Sequence, residues 1–101
     1  MKIIPDGTTL TAALTGEIDH HTAAYIRSSI DSAFVRRQPK ELVMDFSQVT
    51  FMDSSGVGLV LGRYKRTRET GCLLALAGLS ERDKRMMRMS GIQKMELIEF
   101  R

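Results

Sequence analysis

Residues 51–59, Phe51-Met52-Asp53-Ser54-Ser55-Gly56-Val57-Gly58-Leu59, pass from apolar strand-like residues into helical periodicity through a carboxylate, two hydroxyls and two glycines. Upstream, Leu42-Val43-Met44-Asp45-Phe46 has the composition of a short buried strand, predicted over Glu41 to Phe46 and followed by a Ser47-Gln48-Val49-Thr50 connection. Downstream, Val57, Val60, Leu61 and Tyr64 recur at helical spacing. Ser54 is thereby predicted at a helix start. The first turn of a helix carries unpaired backbone N–H groups and a partial positive charge, so a hydroxyl there can take on an anion at little electrostatic cost. Such a site suits a phosphorylatable serine.

The flanking segments supply the rest of a small α/β domain. Thr9 to Thr15 is strand-like and follows the turn residues Pro5-Asp6-Gly7, which predicts a β-hairpin over Met1 to Gly16. A helix is predicted from His20 to Arg37, with Ala23, Ile26, Ile30, Ala33 and Phe34 on one stripe, Tyr25 and Arg27 pointing elsewhere, and Asp19 or Thr22 as its cap. The second helix ends near Gly71, and Cys72 to Ala77 reads as a further strand. Ser80-Glu81-Arg82-Asp83 has the pattern of a helix start, Gly91 suits a left-handed cap with Ile92 folding back, and Met95 to Phe100 reads as a last strand. The predicted order is β-β-α-β-α-β-α-β, a mixed sheet with crossover helices in one domain over residues 1–101.

Composition narrows the function. A chain of 101 residues, 43% hydrophobic and 27% charged, suits one globular core. No apolar run approaches the roughly 20 residues of a membrane span, and the N-terminus lacks a signal-peptide pattern, so a soluble cytoplasmic protein is expected. Cys72, the single cysteine, lies in an apolar run and is read as core. Basic residues outnumber acidic ones 15 to 12 and cluster at Arg63-Tyr64-Lys65-Arg66-Thr67-Arg68 and Arg82-Asp83-Lys84-Arg85. Both clusters fall on predicted amphipathic helices, and several of the six aromatics occupy core-like positions, so solvated helix faces are preferred to a nucleic-acid surface.

Several chemistries compete at residues 51–59. The phosphate-loop pattern Gly-x4-Gly-Lys-Ser/Thr is absent, and Gly56-Val57-Gly58-Leu59-Val60-Leu61-Gly62 misses the dinucleotide spacing by one residue, so no intrinsic nucleotide cofactor is expected. Ser54 as a hydrolase nucleophile, with His20 or His21 as base and Asp19 or Asp53 as orienting acid, has the residue types but lacks the Gly-x-Ser-x-Gly elbow. The histidine pair lacks metal-ligand spacing, and no metal is expected. Met86, Met87 and Met89 are read as core filler. On residue types alone, serines that merely cap the helix stand ahead of catalysis.

A family resemblance shifts that balance. Gly16-Glu17-Ile18-Asp19-His20-His21-Thr22-Ala23, Phe51 to Gly58, Leu61-Gly62-Arg63-Tyr64-Lys65 and Met89-Ser90-Gly91 resemble the bacterial anti-sigma-factor antagonists with the STAS fold, above all those of the sporulation sigma-F pathway. The resemblance implies partner switching. The unphosphorylated antagonist binds an anti-sigma factor that is also a serine kinase and so frees the sigma factor. ATP-dependent phosphorylation of Ser54 ends that binding, and a PP2C-type phosphatase resets it. ATP and ADP belong to the partner kinase, and the antagonist itself is a substrate rather than an enzyme. General-stress antagonists share the Asp-Ser motif, so the resemblance leaves the pathway open.

The same resemblance places Asp19 and His20 beside the phosphorylation loop, where they join Asp53, Ser55, Gly56 and Gly58 as expected partner contacts. Leu59 lies opposite the apolar stripe of the second helix and is expected to face outward as an anchor, with Arg63 as a charged rim contact. Phosphorylation adds about −1.5 to −2 charge units beside Asp53 and is expected to repel the kinase with little backbone change. The free protein is expected to be a monomer. Antagonists of this type carry a further C-terminal helix, whereas this sequence stops at Phe100-Arg101 soon after the last predicted strand. Part of a sheet face or neighbouring helix is accordingly expected to be uncovered.

Overall fold

Alternating apolar residues in the second strand and an apolar run in the third place both at the middle of one sheet. The computed structural model describes residues 1–101 and contains strands β1 (Lys2–Asp6), β2 (Thr9–Ile18), β3 (Glu41–Met52), β4 (Leu73–Ala77) and β5 (Ile98–Phe100). The helices are α1 (His20–Arg37), α2 (Ser55–Thr70) and α3 (Glu81–Met89), with a single 3-10 turn at Ile92–Lys94. The strands lie in the order β1-β2-β3-β4-β5, with β1 antiparallel to β2 and every later pair parallel. This is the predicted mixed α/β order.

Because each parallel strand is added on the same side of its predecessor, right-handed crossovers send all three helices to one face of the sheet. The core follows that geometry. Leu10, Ala12 and Leu14 of β2, Leu42, Met44 and Phe46 of β3, and Leu74 and Leu76 of β4 join Ile26, Ile30, Phe34, Val60 and Met87 of the helices in one buried cluster. The period-2 partners on the opposite face are mostly small or polar, including Thr11, Ala13, Asp45 and Ala77, with Val43 and Leu73 as its larger apolar residues. No helix covers this face. The Arg101 guanidinium lies across part of it, paired with Glu41 at 2.9 Å and with Glu99.

Several boundaries differ from the sequence-based expectation, each for a local reason. The segment Ser47 to Thr50 is strand rather than connection, because β3 runs on to Met52 through two register shifts against β2 and pairs Gln48 with Thr15, Val49 with Gly16 and Met52 with Ile18. Pro5 lies within β1, opposite Leu10, on an edge strand where a missing N–H is tolerated. The last strand is limited to Ile98–Phe100.

The capping predictions hold more closely. Asp19 Oδ1 accepts from the backbone N–H of His21 and Thr22 at 2.9 and 3.0 Å, and Thr22 Oγ1 accepts from the Asp19 N–H, which completes a reciprocal cap on α1. Ser80 accepts from the Asp83 N–H at the start of α3. Gly91 is left-handed at φ 84° after α3, and Ile92 folds back into the core. Cys72 is buried as expected, and burial pushes its thiol pKa upward. Met87 is core, but Met89 is 83% exposed and does not fill it. No helix is long and apolar enough to cross a membrane.

Candidate functional site

The extended ends of β2 and β3 carry the β2–α1 turn and the β3–α2 junction side by side. The Asp53 N–H donates to the Ile18 carbonyl at 3.1 Å, continuing the strand pairing one step past Met52. Asp19 follows Ile18 directly, so the structure places Asp19 and His20 next to Asp53 and Ser54. Ser54, Gly58 and His20 are exposed, and Asp19, Asp53 and Ser55 are partly exposed. These six form one surface.

Asp53, not a serine, caps α2. Its Oδ1 accepts the Ser55 N–H at 2.8 Å, whereas Ser54 has helical dihedrals (φ −62°, ψ −14°) and its side chain makes no cap bond. Of the two capping candidates at this junction, Asp53 and the serines, the carboxylate takes the role, which leaves the hydroxyl of the exposed Ser54 unengaged. A serine held this way can be reached by a phosphoryl donor without any part of the fold opening.

The expectation that the helix start offers unpaired amides to an anion is corrected by the same geometry. The Gly56 N–H donates to the Asp53 carbonyl at 3.0 Å, and those of Val57 and Gly58 donate to the Ser54 carbonyl at 3.1 and 3.4 Å. With Ser55 bound to the Asp53 side chain, the amides of residues 55–58 all have acceptors within the chain. The helix dipole still favours an anion at Ser54, but none of these four N–H groups is vacant to receive it.

Three expected contact residues lie inside. Leu59 and Arg63 are each only 5% exposed, and Gly56 is buried against Met52, whose Sδ and Cγ fill the space a Cβ at position 56 would need. The buried stripe of α2 is Gly56, Leu59, Val60, Arg63 and Thr67, at helical spacing. Because this stripe includes a glycine, an arginine and a threonine, apolar residues alone point to a face rotated from the true one, and Leu61 is 36% exposed. Neither Leu59 nor Arg63 faces outward, so anchor and rim roles do not fit them.

Arg63 instead ties α2 to α1. Its Nε lies 2.8 Å from Asp31 Oδ1 without hydrogen-bond alignment, Arg63 Nη1 is buried without an acceptor, and the more exposed Arg66 approaches Asp31 Oδ2 at 3.3 Å. Burial pushes the Arg63 pKa downward, opposed by the Asp31 charge. The contact is an internal ion pair rather than a recognition element.

Sequence reasoning missed Arg82 and Phe51. Arg82, in the first turn of α3, donates from Nη1 to the Met52 carbonyl at 3.3 Å, and its guanidinium carbon lies 5.7 Å from the centroid of the half-exposed Phe51 ring. The basic cluster containing Arg82 was visible in the sequence, but nothing local linked it to a residue 30 positions earlier.

The fold coincides with that of a known family. The STAS domain family matches residues 2–100, and the chain belongs to it. Its relatives within that family include an anti-sigma F factor antagonist of Paenibacillus polymyxa, 40% identical over 84% of this chain and 73% of the relative, and one of Lysinibacillus sphaericus, 33% identical over 83% and 72%. An anti-sigma-B factor antagonist of Listeria monocytogenes is 31% identical over 87% of this chain and 75% of the relative. Among solved structures, the anti-sigma factor antagonist SpoIIAA in its unphosphorylated form superposes with TM-score 0.74 at 27% identity, covering 92% of this chain and 94% of that one. The Bacillus cell fate determinant SpoIIAA in the phosphorylated form gives 0.77 at 29%, covering 99% and 89%.

Proposed function

We propose that this chain is an anti-sigma-factor antagonist that switches partners through phosphorylation of Ser54. The observation carrying this reading is the exposed, unengaged Ser54 hydroxyl beside the capping carboxylate of Asp53. Antagonist relatives of both the sigma-F and sigma-B kinds support it, as does the likeness to SpoIIAA in unphosphorylated and phosphorylated forms. In this reading, unphosphorylated Asp19, His20, Asp53, Ser54, Ser55 and Gly58 dock on an anti-sigma factor serine kinase in the cytoplasm, and the sigma factor is released. The kinase transfers the γ-phosphoryl of ATP to Ser54 Oγ, which loses its proton. The resulting dianion beside Asp53 repels the nucleotide-bearing kinase, and a PP2C-type phosphatase hydrolyses the ester.

The sheet and core need not move, because the modified atom lies outside them. The chain acts as a regulator and a kinase substrate, monomeric when free and without direct contact to nucleic acid. The test is incubation with the cognate kinase and ATP. Wild type should gain the mass of one phosphate, Ser54→Ala should gain none, and Ser54→Asp should bind the kinase more weakly. Stoichiometric phosphate uptake by Ser54→Ala would overturn the assignment.

A further inference from the structure

Beyond the helix dipole and the N–H of Ser54 itself, the backbone offers a phosphate on Ser54 little. The amides of residues 55–58 are already paired within the chain, and the nearest carboxylate, Asp53, is held at the loop by the Ser55 N–H. A dianion there meets a repelling neighbour and no vacant N–H among those four donors.

Arg82 is placed to answer this need from another element. Its Nη1 is held at the Met52 carbonyl, two residues before Ser54, and two residues of chain span at most about 7 Å. The same Nη1 makes the long 3.4 Å contact to Asp83, so Nε and Nη2 remain without a partner in the chain. The side chain is 64% exposed and can swing, while the Phe51 ring beneath the guanidinium limits how far it strays. An arginine with an unpartnered Nε and Nη2 presents the fork that binds two phosphate oxygens at once.

The geometry points to Arg82 as the intramolecular clamp of phosphorylated Ser54, pairing the phosphate with the first turn of α3. The inference rests on the reading of Ser54 as the phosphorylation site. It adds that the modified side chain is drawn toward its own chain, which keeps the new charge beside the docking surface. The charged groups on the elements that meet at this site include Asp53 on the loop, Asp19, His20 and His21 at the β2–α1 turn, and Glu81, Arg82, Asp83 and Arg85 on α3, where Arg85 lines the same shallow concavity as Arg82. Of the two arginines, only Arg82 is held at the Met52 carbonyl, two residues from Ser54.

The experiment installs phosphoserine at position 54 of the full chain during translation, which makes it independent of any kinase. The second ionisation of the phosphate is then followed by phosphorus NMR. A clamp stabilises the dianion, so the midpoint in wild type should lie lower than in Arg82→Gln by roughly half a pH unit, the size expected of a partly exposed pair. Arg82→Lys should recover part of the shift, and Arg85→Gln, a similar charge change on the same helix, should leave the midpoint at the wild-type value. Equal midpoints in wild type and Arg82→Gln would overturn the clamp. So would an equal effect of Arg85→Gln, which would show only the general field, or a shift produced by His20→Ala and not by Arg82→Gln. Failure of the kinase assay with an intact NMR shift would instead count against the switching reading alone.

Discussion

Arg63 Nε lies 2.8 Å from Asp31 Oδ1 in the contact between α2 and α1, and the arginine is 5% exposed. The pair ties α2 to α1. Removing one partner from a buried pair strands the other charge, whereas an exposed pair contributes little. Asp31→Asn is therefore expected to lower unfolding stability by roughly 2–4 kcal/mol, and Arg66→Ala, at a half-exposed position, by less than about 1 kcal/mol. Replacing both partners with apolar residues, Asp31→Leu with Arg63→Met, should recover most of the loss. Urea titration of the four proteins checks the order.

Gly56 is required by packing rather than by a partner. A methyl group there overlaps the Met52 side chain, which is fully buried. Gly56→Ala is expected to cost about 1–3 kcal/mol through overpacking. Met52→Ala leaves a cavity and is costly alone, but in combination the new methyl occupies part of that space, so the double variant should be less destabilised than the sum of the two. A double-mutant cycle by chemical denaturation measures the coupling.

The division of labour between Asp53 and Ser54 has a thermodynamic signature. The Asp53 carboxylate holds the Ser55 N–H at 2.8 Å, while the Ser54 side chain makes no cap bond. Asp53→Ala is expected to cost about 1 kcal/mol of stability, and Ser54→Ala to stay within about 0.5 kcal/mol of wild type. Thermal unfolding of the two variants distinguishes them. An equal loss for both would mean that Ser54 has a structural role after all.

Acid should loosen the β2–α1 turn through Asp19. Its pKa is held below the ordinary value of about 3.9, first by the Thr22 N–H and further by the His21 N–H. A carboxyl with a depressed folded-state pKa contributes stability that is fully present above the unfolded value and disappears as pH falls through the folded one. Asp19→Asn keeps a capping side chain, so it should match wild type near neutrality and lose stability less steeply below about pH 4. Unfolding midpoints measured across that window provide the check.

The sequence by itself determined the element order, because apolar alternation at residues 9–15, helical periodicity at 20–37 and the Ser80 and Gly91 boundary signals are local. It also pointed to Ser54, since the Asp-Ser-Ser-Gly-x-Gly junction and its family resemblance are contiguous in the chain. Two features were decided only in three dimensions. The first is the rotation of α2, which buries Leu59 and Arg63. Hydrophobicity could not show it, because an arginine becomes a core-side residue only when Asp31 of another helix meets it. The second is the neighbourhood of Ser54, where Ile18 binds the Asp53 amide and Arg82 reaches the Met52 carbonyl. Such contacts depend on how β3 overshoots its apolar run and where α3 comes to rest, and those positions follow from packing the whole sheet, not from any single segment.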